Sequence, residues 1–170
     1  MDNLNILTLN VNGNIKNENY QQTLISFFDL NNINIALLQE THIGNIAWKR
    51  KVDNLFQCNS YWSFGSMGSR GVAILFFNNF QYEVINFEKD IDGRVISVKI
   101  KSDYGIVKLI SVYCPNEAPE RKNFLSTLDS HIFGPYSIVM GGDWNCVENI
   151  SLDKQGGNPN KGAEGAEIIK

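Results

Sequence analysis

Residues 33–42 read Ile33-Asn34-Ile35-Ala36-Leu37-Leu38-Gln39-Glu40-Thr41-His42, an apolar run that stops abruptly in polar residues. Its length and composition predict a buried strand over 33–38, with Gln39-Glu40-Thr41 at its C-terminal end. Upstream, Leu4-Asn5-Ile6-Leu7-Thr8-Leu9-Asn10-Val11 predicts a first strand, which Asn12-Gly13 stops. Between the two, Tyr20, Leu24, Phe27 and Phe28 recur at helical spacing across 17–31. Downstream, Trp48, Val52, Leu55 and Phe56 mark a second, shorter helix.

The middle of the chain is β-rich. Stretches 61–64 and 71–77 predict neighbouring strands around a turn containing Gly65, Ser66, Gly68 and Ser69. Over 95–100 the apolar residues alternate, placing Ile96, Val98 and Ile100 on one face. The turn Ser102-Asp103-Tyr104-Gly105 then leads into 106–113, which predicts a hairpin. After Pro115, a helix over 120–132 gathers Phe124, Leu125, Leu128 and Ile132, and 136–140 predicts a final buried strand. It runs into Gly141-Gly142-Asp143-Trp144-Asn145. Helices and strands alternating in this way imply a layered α/β domain spanning 1–170, with 154–170 as a loop or poorly packed tail.

Composition removes several classes of function. The 170 residues are 43% hydrophobic and 19% charged, enough for a real core, and no apolar run approaches the roughly 18–20 residues of a membrane span. The N-terminus lacks the basic start and small-residue cleavage site of a signal peptide. Cys58, Cys114 and Cys146 are odd in number, far apart and without a Cys-x-x-Cys pair, which argues for free thiols and against a disulfide frame or zinc site. A nuclear or cytoplasmic location follows as the expectation. A net charge of -3 gives no global attraction to nucleic acid, though a local basic rim would not show in the total.

Three predicted strands end in polar groups that core packing does not explain: Asn10-x-Asn12, Gln39-Glu40 and Asp143-x-Asn145. Each alone has an ordinary explanation, a turn or a loop surface. Together they place two carboxylates and several amides where rigid strands position loop residues. That donor set, with no Cys or His cluster, suits a hard cation such as Mg²⁺ or Mn²⁺, which polarises a phosphoryl oxygen or lowers the pKa of a bound water.

At this point the chain resembles a known family. Leu9-Asn10-Val11-Asn12-Gly13, Leu37-Leu38-Gln39-Glu40-Thr41-His42, Val112-Tyr113-Cys114-Pro115-Asn116 and Gly141-Gly142-Asp143-Trp144-Asn145 look like successive signature blocks of the endonuclease/exonuclease/phosphatase family. Ser69-Arg70-Gly71-Val72-Ala73-Ile74-Leu75 and Gly93-Arg94-Val95-Ile96 match its intervening strand blocks. Within the family, Gln-Glu-Thr-His, the helix bearing Arg121 and Lys122, and Gly-Asp-Trp-Asn-Cys-Val resemble the apurinic-endonuclease-like domain of LINE-type (non-LTR) retrotransposon polyproteins.

The resemblance implies a DNase I-like sandwich of two packed β-sheets flanked by helices. It implies a Mg²⁺-dependent, DNA-nicking endonuclease leaving 3′-hydroxyl and 5′-phosphate ends, with DNA and a downstream reverse transcriptase region as partners. Residue by residue, it makes Glu40 the principal metal ligand with Asn10 beside it, and puts Asn12 near the scissile phosphate. Tyr113 would aim its hydroxyl at that phosphate. Asp143 would orient or deprotonate the attacking water, or protonate the leaving oxygen, and Asn145 would hold a phosphate oxygen. A neutral amide there avoids the repulsion that a second acid would bring to the developing oxyanion.

One departure stands out. The family ordinarily finishes with a Ser-Asp-His block, and neither His42 nor His131 lies in one. The fold is therefore expected to be incomplete at the C-terminus, the chain being a fragment or a degenerate copy with weak or no activity. Two rivals follow: a phosphatase of the same family acting on a small or lipid phosphoester, and a non-catalytic remnant or binding module. His42 follows Glu40 by two residues, so an extended segment would turn both side chains the same way, but it stays outside the expected catalytic set. Arg70 and Arg94 are either phosphate contacts or ordinary strand residues in ion pairs. Trp144 is expected to pack beneath the site, and Cys114 and Cys146 to be packing residues.

Overall fold

The structure, a computed structural model, describes residues 4–66, 68–78 and 80–146. The chain divides into two compact units: residues 1–113 with 136–142, and residues 114–135 with 143–170.

The first unit holds β1 (Ile6–Asn10), α1 (Glu18–Leu30), β2 (Ile35–Gln39), α2 (Ile46–Phe56), β3 (Cys58–Ser63), β4 (Val72–Phe77), β5 (Glu83–Lys89), β6 (Val95–Ser102), β7 (Gly105–Tyr113) and nearly all of β8 (Ser137–Asp143). They form two four-stranded sheets, in the orders β1-β2-β4-β3 and β5-β6-β7-β8. β1 pairs parallel with β2 through the α1 crossover, in the register Asn10↔Gln39. β4 is antiparallel to both of its neighbours, and β6 joins β7 by the expected hairpin, Ser102 facing Gly105.

The period-2 geometry of a strand explains why β2 and β4 read as unbroken apolar runs. Ile35, Leu37, Val72, Ile74 and Phe76 point between the sheets, where they meet Ile96, Val98, Ile100, Val107 and Leu109. Ala36, Leu38, Ala73 and Leu75 point the other way, onto Leu24 and Phe28 of α1 and Val52 and Phe56 of α2. Both helices start on an asparagine whose side-chain oxygen accepts a backbone N–H, Asn17 from Tyr20 at 3.1 Å and Asn45 from Trp48 at 3.1 Å. Each such cap contributes about 1 kcal/mol.

In the second unit, α3 (Ala118–Thr127) continues into a 3-10 turn, Leu128–His131. Arg121, 2% exposed, donates from Nη1 to the carbonyls of Pro115 (3.2 Å) and Asn116 (2.8 Å), fixing the loop ahead of its own helix.

Several expectations change. β5 carries no sequence signal, because it is an exposed edge strand with a bulge between Val84 and Asn86 that breaks the alternation. Phe27 and Ile132, expected on buried helix faces, are 43% and 38% exposed, and β8 is half-buried rather than core. Gln39 is not an unexplained polar group. It is 1% exposed, and Nε2 donates to Ser111 Oγ at 3.0 Å, while Ser111 Oγ donates to Leu38 O. The pair satisfies buried polar atoms between the two sheets. The expected tail, 154–170, lies outside the described residues.

Candidate active site

Beyond their last paired residues, β1 and β2 stay joined. Val11 N donates to Gln39 O at 2.9 Å, and Gly13 N to Glu40 O at 2.7 Å. Asn12 and Gly13 have positive φ (43° and 69°), which turns the chain while Asn12 stays exposed. Asn10 uses its amide twice: Oδ1 accepts from Asn12 N at 2.9 Å, and Nδ2 donates to Glu40 Oε1 at 2.9 Å. The structure therefore brings Asn10, Asn12 and Glu40 together in the first unit.

Glu40 and His42 both lie in the left-handed region, at φ 50° and 52°. For residues other than glycine this costs about 1–2 kcal/mol each, and the surroundings hold them there. Thr41 N donates to Gly71 O at 3.0 Å, and His42 N to Arg70 O at 2.9 Å. The segment is thus not extended, yet the two side chains do meet, with His42 Nε2 3.4 Å from Glu40 Oε2. That separation is within ion-pair range but does not complete a hydrogen bond, and Nε2 is shut off from solvent. Thr41 Oγ1 is likewise buried with no partner among the described residues.

Two glycines make room for this corner. A Cβ on Gly13 would strike His42 Nδ1, and one on Gly71 (φ 91°) would strike Thr41 Oγ1.

Among the described residues no three His, Cys, Asp or Glu side chains group together. A carboxylate backed by an amide fits a hard cation that keeps most of its water, the usual habit of Mg²⁺. Glu40 and Asn10 would hold it.

Tyr113 closes β7 and is 7% exposed. The Arg94 guanidinium lies 5.5 Å from its ring centre, and Arg94 Nη1 donates to Tyr113 O at 3.3 Å. Arg94 thus holds Tyr113 by both its ring and its carbonyl. Its own N–H donates to both Asp90 carboxylate oxygens, at 3.1 and 3.0 Å. Arg70 instead forms an exposed pair with Asp92 at 3.6 Å, which contributes little.

In the second unit Asp143, Asn145 and Cys114 form a closed turn. Asn145 N donates to Asp143 Oδ1 (3.0 Å), Asn145 Nδ2 to Cys114 O (2.7 Å), and Cys114 N to Asp143 O (2.8 Å). Asn145 takes φ 49° to do so. Cys114 is fully buried, as a packing residue should be, whereas Trp144 and Cys146 are half-buried.

A groove of about 810 Å³ lies elsewhere, along β3 and β5 between Tyr61, Tyr82, Phe87 and Lys89, and contains none of the expected site residues. Burial pushes Tyr82, which lines this groove, up to about 12, and burial followed by the Asp53 charge pushes the core residue Cys58 up to about 12.

Sequence reasoning raised the approach of His42 to Glu40 but through an extended segment instead of a left-handed one, and it missed the clasp of Arg94 on Tyr113 and the burial of Arg121. The first had a signal in the two-residue spacing; the others arise only from tertiary packing.

No protein-family model matches the chain. Among curated proteins, the transposon TX1 uncharacterized 149 kDa protein of Xenopus laevis is 30% identical over 176 residues, covering 98% of this chain. The chain spans 12% of that protein's length. Several solved structures are similar, three of them as follows. The endonuclease domain of TRAS1, a telomere-specific non-LTR retrotransposon, has a TM-score of 0.65 at 17% identity, covering 98% of this chain and 69% of that one. An AP endonuclease from Archaeoglobus fulgidus has a TM-score of 0.67 at 21% identity, covering 89% and 62%. Humanized D. rerio TDP2 has a TM-score of 0.67 at 15% identity, covering 85% and 63%. The resemblance drawn from the sequence motifs thus recurs in both comparisons.

Proposed function

We propose that this chain, whose DNase I-like fold is shared with AP endonucleases and a retrotransposon endonuclease domain, is a Mg²⁺-dependent phosphodiesterase that nicks duplex DNA for a retroelement. The observation that carries the reading is Glu40, a half-buried carboxylate at the end of a central strand, with Oε1 fixed by Asn10 from the neighbouring strand. Likeness to a transposon protein along nearly the whole chain supports the retroelement context. The wider partners follow from the same reading: DNA, a reverse transcriptase region in the full protein, and action in the nucleus or cytoplasm.

Glu40 and Asn10 would hold the ion, with Asn10 also fixing the carboxylate through Nδ2. When bound, Mg²⁺ (or Mn²⁺) supplies the charge that polarises a phosphoryl oxygen and steadies the leaving oxygen. Asp143, its rotation set by the Asn145 N–H, orients the attacking water and takes its proton, or returns one to the leaving 3′ oxygen. Asn145 Nδ2 carries two hydrogens; one is spent on Cys114 O, and the other serves a phosphate oxygen. Tyr113 supplies a hydroxyl and Asn12 an exposed amide for a phosphate oxygen. Breaking the bond from phosphorus to the 3′ oxygen leaves a 3′-hydroxyl, the end a reverse transcriptase extends, and a 5′-phosphate.

The test is nicking of supercoiled plasmid in Mg²⁺, by this chain and by any continuation of its reading frame past Lys170. Glu40→Ala and Asp143→Ala are each expected to lower the rate by about 10²–10⁴-fold. Plasmid left intact while an inositol phosphate is hydrolysed would replace this reading with the phosphatase. Neither DNA nor phosphoester hydrolysed, with no Mn²⁺ bound, would mark a non-catalytic remnant.

A further inference from the structure

The Glu40 carboxylate has two oxygens, and the reading above uses the environment of only one. Asn10 Nδ2 fixes Oε1 at 2.9 Å. On the other side stands His42 Nε2, 3.4 Å from Oε2, buried and without a completed hydrogen bond. The imidazole is not there by chance of rotamer. Its far edge lies against the Cα of Gly13, so closely that any Cβ at residue 13 would strike Nδ1. Gly13 is itself tied to the Glu40 carbonyl by a 2.7 Å bond. The ring is therefore wedged between the β1 loop and the carboxylate, and a left-handed backbone at both Glu40 and His42 is what turns the two side chains toward each other.

Strain of this kind, together with a buried donor left short of its acceptor, works against stability, since an unmade buried hydrogen bond alone costs about 1–3 kcal/mol. Polar contacts at reaction centres are often long before the ligand arrives and tighten when it does.

The geometry points to His42 as a positioning residue: its Nε2–H holds Oε2 of Glu40 while Asn10 holds Oε1, fixing the carboxylate plane for a divalent cation. His42 neither binds the ion nor touches substrate; it acts through Glu40. This rests on the reading of Glu40 as the metal ligand, and the experiment separates the two.

Mn²⁺ binding to this chain is measured by water-proton relaxation for the wild type, Glu40→Gln, His42→Leu and His42→Gln. Glu40→Gln is expected to abolish the site. His42→Leu fills similar space without a donor and is expected to weaken Mn²⁺ by about 10–100-fold, whereas His42→Gln, which keeps a side-chain N–H, is expected to stay within about threefold of wild type. If Glu40→Gln binds Mn²⁺ normally, the metal reading falls and takes this inference with it. If Glu40→Gln loses the ion but His42→Leu does not, only the positioning role falls. Equal losses in Leu and Gln would reduce His42 to a space-filling ring and overturn it too.

Should His42→Leu not fold, the wild type still decides. The chain has two histidines, so their imidazole ¹⁵N signals are readily told apart by substitution. Saturating Mg²⁺ is expected to shift Nε2 of His42 and leave His131 in place; an unmoved His42 signal overturns the proposal.

Discussion

Glu40 follows β2 and Asp143 closes β8, and each is accompanied by a left-handed residue, Glu40 itself at φ 50° and Asn145 at 49°. Their carboxylates are nevertheless held in opposite ways. Glu40 takes its hydrogen bond from Asn10, thirty positions away in sequence, and its second neighbour from a wedged imidazole. Asp143 takes its bond from the N–H two residues on, in a turn that Asn145 closes onto Cys114. One corner exists because two parallel strands pair in register; the other is mostly a local turn. A one-residue slip between β1 and β2 would replace Asn10 with an apolar neighbour and dismantle the first corner, while the Asp143–Asn145 contact would survive it.

The largest expected effect breaks the tertiary corner without touching a carboxylate. Gly71→Ala places a methyl against Thr41 Oγ1 and within 3.2 Å of Gly65 N, at a φ of 91° that an L-residue rarely adopts. Clash and backbone strain together are expected to remove about 2–4 kcal/mol, read by urea unfolding of variant and wild type. A loss below about 0.5 kcal/mol, the range of an ordinary surface substitution, would mean that the corner is softer than its packing implies.

The local corner should yield less. Asn145→Ala loses both the 2.7 Å bond to Cys114 O and the asparagine tolerance for φ 49°, for an expected cost of about 2 kcal/mol. Asn145→Gly loses the bond but relaxes the backbone, so it should cost about 1 kcal/mol. The difference between the two variants isolates the backbone contribution; equal losses would show that the left-handed turn is held by something other than the residue type.

The same contrast accounts for what the sequence disclosed. Asp143-x-Asn145 is legible because its geometry is contained in adjacent residues. The runs of β2 and β4 are legible because both of their faces are buried, and the layered α/β class follows from them. Three things were not legible. Gln39 stands beside Glu40 in the chain, but strand alternation sends it between the sheets to Ser111, a role that depends on β7, more than seventy residues away. β5 lost its period to a bulge. The left-handed backbone at Glu40 and His42 follows from hydrogen bonds to the Arg70–Gly71 segment, which no local pattern announces.

Thr41 gives the finest test of how the two corners differ. Its hydroxyl is fully buried with no partner among the described residues, packed where Gly71 leaves room for it. The local turn at Asp143 shows no such cost, since Asp143 Oδ1 and Asn145 Nδ2 both have partners. Thr41→Val replaces the hydroxyl with a methyl of similar size and keeps the β-branched shape. Removing an unsatisfied hydroxyl is worth about 1 kcal/mol, less whatever crowding the slightly larger methyl introduces. The variant should therefore be more stable than wild type by up to about 1 kcal/mol, with a correspondingly higher melting temperature. Stabilisation with unchanged Mn²⁺ affinity would mark the hydroxyl as a pure burden of the tertiary corner. Stabilisation bought with weaker Mn²⁺ binding would tie that burden to the ion at Glu40. A less stable variant would show that Thr41 Oγ1 has a partner in solution, leaving His42 Nε2 as the buried group of that corner without a completed hydrogen bond.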